Sequence, residues 1–265
     1  SQTDAITVNV IEKTTDSTTM KVSQGDITYG EAVSPSVTNK PDDTGTVSYT
    51  YEGRDGTTYS SSATAPTNAG KYKVKATCES STTIYTAEDT FEILPKSISG
   101  MTVTLDKTSL EYNGSVQTVN VTSVGSLTAA DYDVTSGTSG KDVGNYTVTV
   151  TGKGNYKDTA KANWKITQGT PTYTVPTGLT AKYGQTLADI TLTTGWSWMD
   201  STQSVGNAST TAKTFKAKFT PEDTTNYNVV ENIELEVTVN KADGSTLKNV
   251  ELAQKYTDTS ERTYA

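Results

Sequence analysis

The sequence predicts an all-β fold made of three small β-sandwich modules in tandem. Apolar and polar residues alternate in period two along several stretches, which is typical of antiparallel strands that bury one face. Clusters of Gly, Asn, Asp and Pro interrupt the chain every roughly 8 to 12 residues, which is the turn density of a sandwich. A set of short motifs recurs three times in the same order. Its period of roughly 70 to 80 residues suits a small domain rather than one turn of a solenoid.

The clearest alternation predicts a strand in each third of the chain, at 72–76, 146–150 and 235–239. No apolar stretch at helical spacing is long enough to cover a sheet. The pattern therefore favours a sandwich over the alternative, a β-grasp module in which a helix crosses one sheet. The best helical candidate is 127–132, for which we predict one helical turn capped by Ser126 or Thr128.

Three motifs make up the repeat: a Tyr-Gly or Tyr-Asn-Gly turn, a Gly-x-Tyr start to a late strand, and an Asn-Tyr pair ahead of the closing strand. In the first copy they lie at 29–30, 70–72 and 84–85. In the second copy they lie at 112–114, 144–146 and 155–156, and in the third at 183–184, 212–215 and 226–227. Ile84 replaces Asn in the first copy, and the stretch from Ala208 to Phe215 is degenerate in the third. A Gly two residues before Tyr72 lets the chain turn before the ring enters the sandwich, so we predict that this Tyr is structural.

The closing strands set the predicted module boundaries. Module 1 comprises residues 20–96, module 2 comprises 97–168 and module 3 comprises 169–242. We interpret 1–19, with an alternating stretch at 5–11, as the end of a preceding module or a leading strand, and 243–265 as a linker or the start of a further module. Short linkers that carry Pro or Gly predict a semi-rigid string. We expect the chain to be a fragment of a longer protein, with its export signals outside it.

Composition argues against several classes of function. The net charge of −8 and the pI near 4.7 argue against a nucleic-acid partner, because phosphate backbones are bound by clustered Lys and Arg. No stretch approaches the roughly 20 apolar residues of a membrane span, so we predict no membrane insertion. The chain has no His and one Cys, which removes the commonest general base and any internal disulfide framework. We therefore predict no enzyme activity, no cofactor and no metal site.

The motifs resemble the MBG (YGX-type) and YDG-type repeats of bacterial cell-surface proteins. In those repeats Tyr-Gly or Tyr-Asp-Gly closes the first strand, Ala-Gly-Thr-Tyr or Val-Gly-Thr-Tyr opens a late strand, and Asn-Tyr precedes the closing strand. The resemblance covers residues 20–241. It implies an extracellular Ig-like repeat in a large surface protein and brings no catalytic residues. A Thr-, Ser- and Gly-rich chain nearly free of Cys is also typical of exported bacterial surface proteins.

Two functions are compatible with this resemblance. We predict a non-enzymatic structural repeat region, a stalk or spacer, and we expect it to be a monomer. The alternative is an adhesin-type module that binds a host glycan or an extracellular protein through loops or an exposed aromatic patch.

Trp196 and Trp198 are the candidate ligand-binding residues, because flat indole faces suit a sugar-binding surface. Two Trp at a spacing of two lie on one face of a strand. If that face points inward, both belong to the core of module 3, which is the interpretation we favour. Alternation also places Trp164 and Ile166 on one face, so we predict that both are core residues.

The other candidates have simpler explanations. We predict solvated turns rather than a calcium loop or paired catalytic carboxylates for three acidic pairs, at 42–43, 88–89 and 222–223. Cys78 has no His to activate it and is predicted to be a small, partly buried residue. Asn163 and Asn240 are candidates for the Lys-Asn isopeptide crosslinks of some surface proteins, but their polar flanks argue against such a crosslink.

Overall fold

The computed structural model of the chain describes residues 12–243. In this range the chain forms 21 β-strands and a single 3₁₀-helical turn, Leu187–Asp189. The prediction of an all-β fold is confirmed, and the described range contains no α-helix of the kind that a β-grasp module needs. No helix within residues 12–243 has the length and apolar character required to cross a membrane. The predicted strand at 5–11 and nearly all of 243–265 lie outside the described residues.

The described chain divides into two compact units. The first comprises 12–107, 119–138 and 146–164, and the second comprises 108–118, 139–145 and 165–243. Each unit takes in part of the predicted module 2, and the predicted module boundaries stay a prediction.

Module 1 combines a five-stranded sheet with a two-stranded sheet around one core. A leading strand, β1 (Thr14–Asp16), precedes module 1, whose own strands are β2 (Lys21–Ser23), β3 (Ile27–Thr28), β4 (Ser36–Thr38), β5 (Ser48–Gly53), β6 (Gly70–Glu79) and β7 (Thr83–Leu94). The large sheet has the order β1-β7-β6-β5, with β3 also paired to β7, and β2 pairs with β4. Tyr72 and Phe91 of the large sheet are buried with Met20 and Val22. The prediction that the Tyr72 ring enters the core is confirmed, since the residue is 2% exposed.

Module 2 follows a short strand in the linker, β8 (Lys96–Ser97). Its own strands are β9 (Val103–Leu105), β10 (Ser109–Glu111), β11 (Gln117–Thr118), β12 (Val121–Val124), β13 (Tyr132–Ser136), β14 (Ser139–Gly140), β15 (Gly144–Gly152), β16 (Tyr156–Lys157) and β17 (Thr159–Thr167). The main sheet has the order β10-β17-β15-β13, and β9 pairs with β12 and β11 with β14. Trp164 and Ile166 are both buried, which confirms their predicted place in the core.

Module 3 is built on a four-stranded sheet of order β18-β21-β20-β19. Its strands are β18 (Leu179–Lys182), β19 (Trp196–Trp198), β20 (Lys213–Phe219) and β21 (Val230–Asn240). The 3₁₀ turn contributes Leu187 to the core, where it joins Leu235 and Val237 of β21. The three strands predicted from alternation lie within β6, β15 and β21, and so are confirmed.

In each module the strand that leads into the Tyr-Gly or Tyr-Asn-Gly turn, here called the opening strand, pairs in parallel with the closing strand. β3 pairs with β7, β10 with β17, and β18 with β21. The two strands therefore run in the same direction, so the chain enters the opening strand and leaves the closing strand at opposite ends of this ladder.

The helical turn predicted at 127–132 is wrong. The segment forms two tight turns, in which the Leu127 amide donates to the Val124 carbonyl and the Asp131 amide to the Thr128 carbonyl. The Asp131 carboxylate accepts from both the amide and the hydroxyl of Thr128, at 2.8 and 2.7 Å. This local pairing satisfies the backbone without a helix.

Candidate functional site

Trp196 and Trp198 lie in the core cluster of module 3 and are 9% and 8% exposed. The Trp198 indole Nε1 donates to the Ile190 carbonyl at 3.3 Å, and its ring packs edge-on against Phe215. The buried rings favour the core interpretation of this pair, and a ligand-binding role for either residue stays a prediction. One neighbouring ring does reach solvent: Tyr173 is 37% exposed and packs edge-on against Trp196.

The acidic pairs do not converge on one another. Within residues 12–243, no group of three or more Cys, Asp and Glu side chains is placed to hold a metal ion. Glu88 and Asp89 lie inside strand β7, so the prediction of a turn is wrong for this pair. Asp89 Oδ2 accepts a hydrogen bond from the backbone amide of Gln24 at 2.9 Å, and Glu88 Oε2 lies 3.6 Å from Lys73 Nζ.

The remaining candidates are structural or exposed. Cys78 is buried, with its Sγ 3.6 Å from the sulfur of Met20. Asn163 and Asn240 are both exposed, and Asn163 accepts from the Thr147 hydroxyl at 2.9 Å. An isopeptide crosslink requires a buried Asn, so neither residue has the environment for it.

What the structure does bring together is the repeat motifs of successive modules. Junction 1, as we use the term, consists of Tyr29 and Ala69 of module 1, Asn155 and Tyr156 of module 2, and the linker strand β8; all belong to the first compact unit. The linker is not a free tether, because β8 pairs in parallel with β16. The Lys96 amide donates to the Asn155 carbonyl at 2.9 Å.

The side chains of junction 1 add two specific contacts. The rings of Tyr29 and Tyr156 meet edge to face, with their centroids 5.4 Å apart at 74°. Asn155 Oδ1 accepts from the Ala69 amide at 2.8 Å, and Asn155 Nδ2 donates to Asn68 Oδ1 at 3.1 Å. The Asn-Tyr motif of module 2 therefore contacts both the Tyr-Gly motif and the Ala-Gly-x-Tyr motif of module 1.

Junction 2 repeats this arrangement with different residues, all within the second compact unit. The rings of Tyr112 and Tyr227 meet edge to face, 5.0 Å apart at 82°. Asn226 Oδ1 accepts from the Val143 amide at 2.8 Å. The linker residue Gly169 pairs in parallel with Tyr227, and its amide donates to the Asn226 carbonyl at 2.9 Å.

The surroundings of each junction shift the pKa of groups within it. Burial, and then the neighbouring Tyr29 ring, raise the pKa of Tyr156. Burial, followed by Tyr227, raises the pKa of Tyr112. Hydrogen bonds from the side chain and backbone of Asn226 lower the pKa of Asp223. The junctions therefore stabilise neutral phenols, and Asn226 is held in place by an ionised carboxylate.

The repeat motifs and the all-β modules agree with a comparison against known families. A family model described as "MBG domain" matches residues 18–97 and 101–170. The chain belongs to the MBG domain family. This confirms the resemblance inferred from the motifs. No curated protein sequence matches the chain.

The MBG domain chain is also similar to several solved structures. An I-band fragment of titin is 8% identical, with 82% of this chain and 96% of that chain covered and a TM-score of 0.27. Extracellular domains 3–5 of Drosophila OTK are 12% identical, with coverages of 86% and 99% and a TM-score of 0.26. The Bacteroides ovatus protein SGBP-B, solved with a mixed-linkage heptasaccharide, is 15% identical, with coverages of 82% and 66% and a TM-score of 0.19.

The backbone pairing corrects one motif assignment in the first MBG domain. Thr14 pairs with Thr83 as Lys96 pairs with Tyr156. The Thr14 amide donates to the Thr82 carbonyl, as the Lys96 amide donates to that of Asn155. The counterpart of Asn-Tyr in this domain is therefore Thr82–Thr83, and the assignment to Ile84-Tyr85 is wrong by two residues.

The role of the motifs at domain junctions was missed by the sequence analysis, although a signal was present. Ahead of the closing strand, Asn-Tyr occurs in the second and third copies, at 155–156 and 226–227. It does not occur in the first copy. Both of these pairs contact the Tyr-Gly or Tyr-Asn-Gly turn of the module before them.

Proposed function

We propose that this chain is a non-enzymatic structural repeat region, a stalk or spacer, of a large bacterial cell-surface protein. It acts outside the cell as a monomer and holds the flanking parts of that protein apart. The observation that carries the proposal is the junction of strand-paired linker, Tyr-Tyr edge contact and Asn-amide hydrogen bond, built twice from the same motifs.

Such junctions suit a spacer because neighbouring domains move relative to each other by default, unless a large apolar interface or other contacts hold them. Here the linker backbone itself is part of a strand pair at each junction. An edge-to-face aromatic pair contributes about 0.5–1.5 kcal/mol beyond the area it buries. The directional Asn–amide bond adds a geometric constraint that a purely apolar contact lacks.

The test is to loosen one junction and measure the spread of distances across it. Spin labels at Thr50→Cys on β5 and Thr135→Cys on β13, two exposed strand positions in the first unit, report on junction 1 in a Cys78→Ala background. We expect a narrow distance distribution that broadens when Tyr156→Ala removes the ring pair. Tyr183→Ala is the matched control and should leave it unchanged. A broad distribution in the parent chain would contradict the proposal.

A second candidate function is an adhesin-type module for a host glycan or extracellular protein, favoured by the exposed face of Tyr173. This ring is backed by Trp196 and Phe219, at 5.5 and 5.3 Å, and Val175 nearby in the chain is 41% exposed. A supported, solvent-facing aromatic ring is what a sugar can stack upon. On a glycan array the parent chain would then bind and Tyr173→Ala would not. Absence of binding by the parent on glycan and host-protein arrays favours the spacer.

A further inference from the structure

Tyr183 occupies the same backbone position as the two junction tyrosines. The amides of Tyr29, Tyr112 and Tyr183 donate to the last residue of the closing strand of their own modules, which is Leu94, Thr167 and Asn240, at 2.9 Å in each case. The Gly after Tyr29 and the Gly after Tyr183 have positive φ, 98° and 94°, so the two turns share one geometry. Each Tyr therefore lies next to the residue at which the closing strand ends and the chain leaves the module.

The exposure of Tyr183 distinguishes it from its counterparts. Tyr29 and Tyr112 are half-buried beneath Tyr156 and Tyr227. Tyr183 is 56% exposed and is one of the exposed large hydrophobic residues of the described range. Its turn is nevertheless built as at junction 1: the Lys182 amide donates to Gln185 Oε1 at 2.6 Å, as the Thr28 amide donates to Glu31 Oε2 at 2.6 Å.

We infer that Tyr183 and the end of β21 form an open half of a third junction, whose partner is another module of this kind bearing an Asn-Tyr turn. This deepens the spacer proposal and rests on it, since it supposes that modules are joined in series. The partner's Tyr ring packs edge-on against Tyr183. Its linker strand continues from Asn240, and its Asn carboxamide accepts from a backbone amide of the segment that leads into β20, as Asn155 accepts from Ala69 ahead of β6 and Asn226 from Val143 ahead of β15.

The sequence restricts where this partner can come from. No Asn-Tyr pair occurs after Tyr227, so residues 243–265 do not supply the turn. The first module of a second copy does not supply it either, because it holds Thr82–Thr83 at this position. The Asn-Tyr turns of modules 2 and 3 already contact Tyr29 and Tyr112. The partner is therefore a further module with its own unoccupied Asn-Tyr turn.

The experiment lengthens the full chain by one module and measures the reactivity of Tyr183. A second copy of residues 95–168 is inserted between Asn240 and Lys241, which repeats the linker and the Asn-Tyr turn of module 2. Nitration by tetranitromethane is followed residue by residue with mass spectrometry. In the parent chain we expect Tyr183 to react much faster than Tyr29. In the lengthened chain we expect Tyr183 to lose most of this reactivity and to match Tyr29.

The matched control carries Asn155→Thr and Tyr156→Thr in the inserted copy alone, the pair that module 1 has at this position. There Tyr183 should stay reactive. Protection of Tyr183 in the parent, its full reactivity beside a folded insert, or equal protection in the control would each overturn the inference. A second insert of residues 168–240, with its own Asn-Tyr turn, must protect Tyr183 as well. If neither insert folds after Asn240, this end does not accept a module and the inference is wrong.

The outcome is independent of the label experiment at junction 1. A broad distance distribution across junction 1, together with protection of Tyr183 in the lengthened chain only, would reject the spacer and keep the docking site. A narrow distribution, together with a Tyr183 that stays reactive in the lengthened chain, would keep the spacer and reject the docking site.

Discussion

Replacing Trp164 with alanine is expected to unfold module 2 or leave it barely stable. Trp164 is 2% exposed, stacks on Tyr146 with centroids 4.7 Å apart, and donates from Nε1 to the Gly137 carbonyl at 2.8 Å. A buried Trp→Ala change costs about 3–5 kcal/mol, because the cavity is only partly filled by relaxation. A domain of this size has a total stability of only about 4–11 kcal/mol, at roughly 0.05–0.15 kcal/mol per residue.

Hydrogen exchange measured by mass spectrometry checks this prediction, because it reports each module separately. Amides of β15 and β17 should lose protection in Trp164→Ala, while those of β20 and β21 in module 3 keep it. Trp164→Phe is the control: it retains a stacked ring but not the Nε1 donor, and should lose about 1–3 kcal/mol, the cost of an unsatisfied carbonyl and a smaller ring. Unchanged protection in the alanine variant would show that the core does not depend on this ring.

Gly137→Ala is expected to have the second largest effect, although it adds only a methyl group. Gly137 has φ +83°, and an added Cβ would lie 1.8 Å from the Thr147 carbonyl oxygen and 2.6 Å from its carbonyl carbon. The positive φ alone costs an L-residue roughly 1–2 kcal/mol. The clash with backbone atoms adds a further free-energy cost, because the β13 and β15 segments must separate to relieve it. The separation would also disturb the carbonyl that accepts from Trp164.

Gly154→Ala separates the clash from the strain of the backbone. Gly154 also has a positive φ, +63°, but nothing lies within 4 Å of its added Cβ. Urea unfolding should therefore show a loss of about 1–2 kcal/mol for Gly154→Ala, from the φ strain alone, and a clearly larger loss for Gly137→Ala. Equal losses of unfolding free energy in the two variants would mean that the backbone around Thr147 can move away from the added methyl group at no cost in stability.

The fold was largely predictable because its signals are local. Alternation depends on one strand at a time, and it located β6, β15 and β21. The same rule placed Trp164 and Ile166 in the core. The helical turn at 127–132 failed for an equally local reason: the Thr128 amide and hydroxyl found the Asp131 carboxylate, and no helical hydrogen bond was needed.

The junctions were less predictable because their contacts join residues far apart in sequence. Tyr29 meets Tyr156, and no pattern around either residue encodes that pairing. The error at Ile84-Tyr85 has a physical cause as well. In module 2 the Asn-Tyr turn is set off from the closing strand by Asp158, at φ 68°, whereas β7 runs without a break from Thr83 to Leu94. Counting back from the nearest Tyr therefore gives the wrong register in module 1.

The parallel pairing of opening and closing strands determines how a module responds to tension. When the two ends of module 3 are pulled apart, β18 and β21 must slide past each other lengthwise, because they run in the same direction. The ladder that joins Leu179–Lys182 to Val237–Asn240 is then loaded in shear, with all of its hydrogen bonds strained together. A hairpin pulled open from one end breaks its bonds one after another. Forced unfolding depends on the unfolding rate rather than on equilibrium stability. Domains with a small free energy of unfolding can therefore withstand a larger force than that free energy alone would indicate.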